Sequence, residues 1–193
     1  MAIEVPQGVS REALTGCILA LADDELMLGH RDSEWTGHSP IIEEDIAFAN
    51  IAQDELGHSL AWYTLLGQMN GQSPDKMVFE RRWREFTCCR LVTYPKGDFA
   101  YTVARQYFFD AAEDIRMQSM GRSVFGPMKE LAAKISAEEG YHLLHSHGLV
   151  ERLGDATEES HRRMQEAVDI AFPQALGIFE QFKEEEKLVE AGV

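Results

Sequence analysis

The sequence predicts an all-α protein: four long helices packed as a bundle, with one more helix after them. Three observations lead there. No segment alternates apolar and polar residues with the period of two that a half-buried strand needs. Long runs of helix-forming residues repeat apolar side chains at helical spacing and are separated by clusters of Gly, Pro and Asn. Two of these runs carry the same short pattern, Glu55-Leu56-Gly57-His58 and Glu139-Gly140-Tyr141-His142. On a helix that spacing puts a carboxylate and an imidazole on one face, one turn apart.

Taken in order, residues 1–9 form a loose start around Pro6 and Gly8. Ser10 caps a first helix from Arg11 to about residue 33, with Leu14, Cys17, Ile18, Leu21 and Leu28 on its apolar face. Trp35 to Pro40 is a turn. A second helix runs from near Ile41 to about Met69 and is broken by Asn70-Gly71-Gln72-Ser73-Pro74. Residues 75–96 read as irregular, with a short helix around Phe79 to Arg84 and a turn at Tyr94-Pro95-Lys96-Gly97. Asp98 caps a third long helix, 99–122. Gly126-Pro127 opens a fourth, 127–153, ended by a turn at Gly154-Asp155-Ala156-Thr157. A fifth helix follows over 158–188, interrupted or kinked at Pro173.

Two Glu-x-x-His helices, completed by one carboxylate from each of two further helices, make the ligand set of a dinuclear carboxylate site in a ferritin-like up-down four-helix bundle. The second helix supplies Glu55 and His58, and the fourth supplies Glu139 and His142. The first offers Asp23, Asp24 or Glu25; the third offers Asp110, Glu113 or Asp114. Spacing separates these choices. Glu25 lies 30 residues before Glu55, and Asp110 lies 29 before Glu139, so two antiparallel pairs of similar length bring both sets to one height. The expected metal ligands are therefore Glu25, Glu55, His58, Asp110, Glu139 and His142, with Glu113 in reserve. Asp54 and Glu138 each precede a ligand glutamate. A metal-bound imidazole donates its other N–H to a carboxylate, which pairs Asp54 with His142 and Glu138 with His58. Burying so many acids is costly unless cations balance them. Two iron ions do so, with manganese as the alternative.

Other residues take plainer readings. Asp23 and Asp24 are expected at the surface or capping backbone, and Glu113 and Asp114 on a helix surface. His145 and His147 are expected to be hydrogen-bonded or exposed. His38 and His161 lie in or beside turns as structural residues. Arg81-Arg82-Trp83-Arg84 and Arg162-Arg163 form solvated faces, with Trp83 anchoring its segment to the bundle. Leu21, Leu28, Phe48, Ile51, Trp62 and Tyr107, one turn from the ligands, are candidates to line a substrate space.

The chain has 193 residues, of which 45% are hydrophobic, as expected of one globular domain over 1–193. A net charge of −15 argues against nucleic acid and anionic membrane surfaces as partners. Three cysteines, an odd number without a leader sequence, point to reduced thiols and a cytoplasmic protein. No apolar run approaches the ~20 residues that span a bilayer.

Leu26 to Trp35, Ala52 to His58, Phe109-Asp110-Ala111-Ala112, Gly126-Pro127 and Glu138 to His142 resemble the phenylacetic acid catabolic proteins, over roughly residues 10–180. These are ferritin-like subunits of a bacterial multicomponent phenylacetyl-CoA epoxidase. Ser33 to His38, Gly97 to Ala100 and Gly154 to Met164 are similar to its structural subunit, which typically lacks metal ligands; the filled ligand positions are similar to its catalytic subunit. The chain ends shortly after residue 190, shorter than the family pattern implies. The resemblance implies a di-iron monooxygenase of phenylacetyl-CoA or a related aromatic acyl-CoA, or a subunit of such a complex. It also implies a homologous ferritin-like subunit or a second copy as partner. A separate reductase would supply electrons, since nothing resembles a flavin, nicotinamide or iron–sulfur motif. The alternatives are a non-catalytic structural subunit and a ferritin-like iron oxidase.

Overall fold

The computed structural model describes residues 3–181 and 183–193; Met1, Ala2 and Phe182, in the expected loose start and the expected last helix, lie outside the described residues. Their regular secondary structure is all helical, with no strand among the described residues. The long helices are α1 (Arg11–Ser33), α2 (Ile42–Asn70), α5 (Phe99–Met120), α6 (Gly126–Ala156) and α7 (Glu158–Ala175). Short helices α3 (Pro74–Phe79) and α4 (Arg90–Thr93) lie between α2 and α5, and α8 (Glu185–Glu190) follows α7. No helix among the described residues is long and apolar enough to cross a membrane.

Local chemistry sets the helix ends. The Ser10 hydroxyl accepts from the Ala13 amide at the start of α1, and the Asp98 carboxylate from the Tyr101 amide at the start of α5. Gly71, at φ 77°, closes α2 in the left-handed conformation that a side chain resists.

Pairwise contacts give the helix directions. Arg11 reaches the Met69 carbonyl, the Ser59 hydroxyl donates to the Ala22 carbonyl, and Gly29 abuts Ala52, so α1 and α2 are antiparallel. Ser146 meets Asp110, and the Tyr107 ring packs on His147, which runs α5 against α6. Arg116 pairs with Asp24 and Arg105 with Asp32, so α5 is also antiparallel to α1. Hence α2 and α5 are parallel, and residues 71–98 must return along the bundle to join them. That is the single long crossover of ferritin-like bundles.

The core lies in two apolar clusters. One gathers Leu14, Ile18, Leu21, Trp62, Leu66, Met128 and Ile135. The other gathers Leu28, Trp35, Phe48, Val103, Phe109, Leu149 and Ala171. Each fully buried side chain of this size contributes about 1.5–3 kcal/mol. Between the clusters lies a layer of buried acids that includes Glu25, Glu55, Asp110 and Glu139.

The structure corrects several sequence expectations. The fourth helix does not stop at a turn over 154–157: α6 runs to Ala156, and Thr157 alone breaks it. Thr157 is extended and caps α7 through the Ser160 amide. The fifth helix is interrupted near Pro173, as one of the two expectations had it, and does not run on as one kinked rod to residue 188. Pro173 lies in the last turn of α7, and a 3-10 turn over Leu176–Phe179 follows. The helix around Phe79 to Arg84 is shifted: α3 ends at Phe79, and Trp83–Glu85 is a 3-10 turn. Trp83 anchors nothing. It is 77% exposed, with Arg84 stacked over its ring.

Candidate metal centre

Each long helix of the bundle carries its acid near mid-length. Glu25, Glu55, Asp110, Glu113 and Glu139 are fully buried, and His58 and His142 nearly so. Two groups form. Glu25, Glu55, His58 and Glu139 each offer one ligand atom within 4.8 Å of the others, and so do Glu55, Asp110, Glu139 and His142. Glu55 and Glu139 belong to both groups. The arrangement could hold two metal ions, with Glu55 and Glu139 common to both groups and one histidine and one further acid completing each.

The imidazoles show which atoms face inward. His58 Nδ1 lies 3.3 Å from a Glu139 oxygen and 3.7 Å from a Glu25 oxygen. His142 Nδ1 lies 3.2 Å from Glu139 and 3.5 Å from Glu55. The opposite ring nitrogens face the rim. His58 Nε2 is 2.7 Å from Glu138, and His142 Nε2 is 3.3 Å from Asp54. These contacts run between α2 and α6, so each acid that precedes one ligand glutamate holds the histidine of the other helix. An Nε2–H donated to a carboxylate leaves Nδ1 as a lone pair directed at the centre.

Polar satisfaction tests whether ions fit. Both oxygens of Glu25, both of Glu139, one of Glu55 and Nδ1 of both histidines are buried with no hydrogen-bond partner. Buried polar atoms are rarely left so; of the sixteen such atoms among the described residues, these seven converge in the two four-residue groups and nine lie elsewhere. Carboxylate oxygen and neutral imidazole are the donors that iron and manganese accept, so this donor set fits two such ions.

Electrostatics agree with that fit. Burial, then repulsion from neighbouring acids, pushes Glu55 and Asp110 well above the ordinary carboxylate range, and burial does the same to Glu25. Burial disfavours a charged His58, but Glu139, Glu55 and Glu138 outweigh it and raise its pKa to about 9. His142, facing Glu139 and Glu55, is raised to about 12 against the same burial effect. Glu139 goes the other way: its two imidazole neighbours overcome burial and lower it. Without cations the cluster thus keeps protons, which supply the balancing positive charge.

Several acids and bases differ from their expected settings. Asp23 is buried rather than exposed. It accepts from Arg81, from the Tyr63 hydroxyl and from the Thr87 amide at 2.7 Å. Arg81 is accordingly no part of a solvated face. Asp24 does cap backbone, at the Cys89 amide, but from a buried position, with Arg116 at 3.3 Å. Glu113 is fully buried and ion-paired to Arg116; it lies outside both ligand groups. Asp114 lies nearer the surface and accepts from Gln118. His145 meets Glu44 at 3.0 Å, His147 is exposed, and Arg162 and Arg163 pair with Glu159 in solvent. Leu21, Leu28, Phe48, Ile51 and Trp62 are core residues, whereas Tyr107 packs against Phe108 and His147.

Four neighbours of the centre escaped sequence reasoning: Gln106, Ser146, Arg105 and Arg116. A signal existed for each. Gln106 precedes Asp110 by one helical turn, and Ser146 follows His142 by one. Arg105 and Arg116 stand eleven residues apart on α5, three turns along one face.

The family model of the phenylacetic acid catabolic protein matches residues 1–193. The chain belongs to the phenylacetic acid catabolic protein family. A curated relative, one of the subunits of the 1,2-phenylacetyl-CoA epoxidase of Escherichia coli (strain K12), is 38% identical over 157 residues, 81% of this chain. The chain spans 63% of that relative's length. The family resemblance carried by the residues is thus shown, and the family supplies a frame for the centre just described.

Proposed function

We propose that this chain is a subunit of an oxygen-dependent epoxidase complex of aromatic acyl-CoA catabolism, and that it carries the di-iron centre itself. One observation carries the reading: two four-ligand groups share Glu55 and Glu139, and their orphaned oxygens and Nδ1 atoms converge. The relative's name supplies phenylacetyl-CoA as the substrate, and we extend it to related aromatic acyl-CoA thioesters. With two ferrous ions bound, such a centre supplies O2 reduction, one oxygen atom entering the substrate and the other leaving as water. Electrons come from a separate reductase, and a homologous ferritin-like subunit or a second copy completes the assembly. The chain's own part is geometric. Glu25, His58, Asp110 and His142 are the terminal ligands, and Glu55 and Glu139 the shared ones. Asp54 and Glu138 hold the imidazole tautomers, and the two apolar clusters keep water from the ligands.

The test is elemental analysis of protein loaded anaerobically with ferrous iron. About two ions per chain are expected from the ligand count, and Glu55→Ala with His58→Ala should lose them while far-ultraviolet circular dichroism stays near that of the parent. No iron in the parent sinks the reading. A second reading is a structural subunit with an inert acidic centre. It is favoured by Ser33 to His38, Gly97 to Ala100 and Gly154 to Met164, the stretches that resemble the structural member of the complex. It predicts that the same double variant supports full activity in a reconstituted complex. Catalysed ferrous oxidation with mineral build-up would instead indicate an iron oxidase.

A further inference from the structure

The two halves of the centre are related by the repeated Glu-x-x-His pattern, yet their terminal acids are held differently. Asp110 is fixed at both oxygens. The Gln106 side-chain amide donates to Asp110 Oδ1 at 2.8 Å, and the Ser146 hydroxyl donates to Oδ2 at 2.6 Å. The same Gln106 nitrogen lies 3.2 Å from Glu55 Oε1, so it ties the terminal acid to a shared one. Two carboxylates face this nitrogen, which settles the amide orientation: its oxygen there would meet only acceptors. Gln106, Ser146 and Asp110 are all buried. Each Asp110 oxygen still keeps a lone pair for a metal. Glu25, on the opposite side, has only partners within the centre: it meets the shared acid Glu55 and lies 3.7 Å from His58 Nδ1, and no residue outside the centre donates to either oxygen.

Resting on the metal-centre reading above, we infer that the two metal positions are unequal. The position built on Asp110 and His142 is preorganised by Gln106 and Ser146, so it fills first and holds its ion more tightly. The position built on Glu25 and His58 fills second and is the exchangeable one. The physical reason is that an acid already fixed in its binding rotamer loses little freedom when an ion arrives, whereas an unpinned one must be ordered by the ion itself. Gln106 and Ser146 are positioning residues: they act through Asp110 and Glu55.

The experiment titrates metal-free protein with manganese(II) under argon, following both heat and electron paramagnetic resonance. Two unequal binding phases are expected. The six-line signal of an isolated manganese should peak near one equivalent and give way to a coupled spectrum near two. Glu25→Ala should keep the tight phase and lose the weak one; Asp110→Ala should do the reverse. Ser146→Ala, which touches Asp110 alone among the ligands, should weaken the tight phase about 10-fold or more, the usual effect of removing a ligand's supporting partner, and leave the weak phase unchanged; Gln106→Leu, which also frees the shared Glu55, should weaken the tight phase more than the weak one. Ser146→Thr, which retains the hydroxyl, should restore the tight phase. Circular dichroism of each variant checks folding. Equal phases, or a tight phase lost in Glu25→Ala, overturn the inference while leaving the dinuclear centre intact. Failure of the parent to bind manganese or iron at all overturns the metal-centre reading as well.

Discussion

Asp32 and Arg105 illustrate how burial and pairing compete at a single position. Both are fully buried and lie 3.3 Å apart, yet burial wins over attraction on each side. It raises Asp32 to about 6 and lowers Arg105, whose guanidinium nonetheless stays charged. Two guanidinium nitrogens and one Asp32 oxygen have no hydrogen-bond partner. Such a pair adds little net stability, but breaking it strands a buried charge. Asp32→Ala or Arg105→Ala alone should therefore cost ~3–5 kcal/mol, while Asp32→Leu with Arg105→Met should fall near the parent. Urea denaturation of the three variants checks this. A double variant as unstable as the singles would show that the pair itself is a source of stability.

At the scale of helices, the approach of α1 to α2 sets the position of Glu55. A Cβ added at Gly29 would lie 2.9 Å from Leu56 Cγ, 3.1 Å from the Ala52 carbonyl oxygen and 3.2 Å from Glu55 Cβ. Alanine gains about 1 kcal/mol of helix propensity over glycine, but the backbone oxygen cannot turn aside as a side chain can. Overpacking costs of ~1–3 kcal/mol are expected to prevail. Gly29→Ala should lower stability in thermal denaturation and also weaken metal uptake, because the strain bears on a shared ligand. The crossover is secured by the same helix: Asp23 and Asp24 of α1 bind Arg81, Thr87 and Cys89. Two acids adjacent to the ligand Glu25 thus tether the segment that makes parallel α2 and α5 possible.

For the whole molecule, the proposed metal centre implies that protons and metal ions compete for the same groups. In the metal-free protein His58 and His142 have pKa values raised above the ordinary 6.5, to about 9 and about 12. Glu25, Glu55 and Asp110 are raised too. The folded state then binds more protons than the unfolded one, so stability is greatest in mild acid and falls as pH rises. For His58 the loss runs from about pH 6.5 to about 9. The net charge of −15 adds self-repulsion in the same direction. Metal binding reverses the trend, because ligation needs the deprotonated groups. Scanning calorimetry from about pH 6 to about pH 9 should show the metal-free midpoint falling, and the gap between loaded and metal-free protein widening. An ion present at about 100 times its dissociation constant adds about 2.7 kcal/mol. A constant gap across that range would remove the cluster from the explanation.

Much of this was legible in the chain. Helical periodicity, the caps at Ser10 and Asp98 and the breaker at Gly71 are local, and local chemistry decides them. The Glu-x-x-His spacing and the near-equal separations of Glu25 from Glu55 and of Asp110 from Glu139 needed only helix geometry to suggest one layer of acids. What the sequence could not decide is which polar residues are buried. Asp23 and Asp24 look like surface acids because burial of a charge depends on a partner brought in by the fold, and those partners, Arg81 and Arg116, are set by the crossover and by the α1–α5 pairing; Glu113 has its partner Arg116 one turn along α5, and only the packing around that pair decides its burial. The second hold on Asp110, from Ser146, likewise emerges only when α5 and α6 are docked, whereas the Gln106 contact spans one turn of α5. Position along one helix fixes which groups can face inward; which of them are held, and by what, is a property of helices meeting.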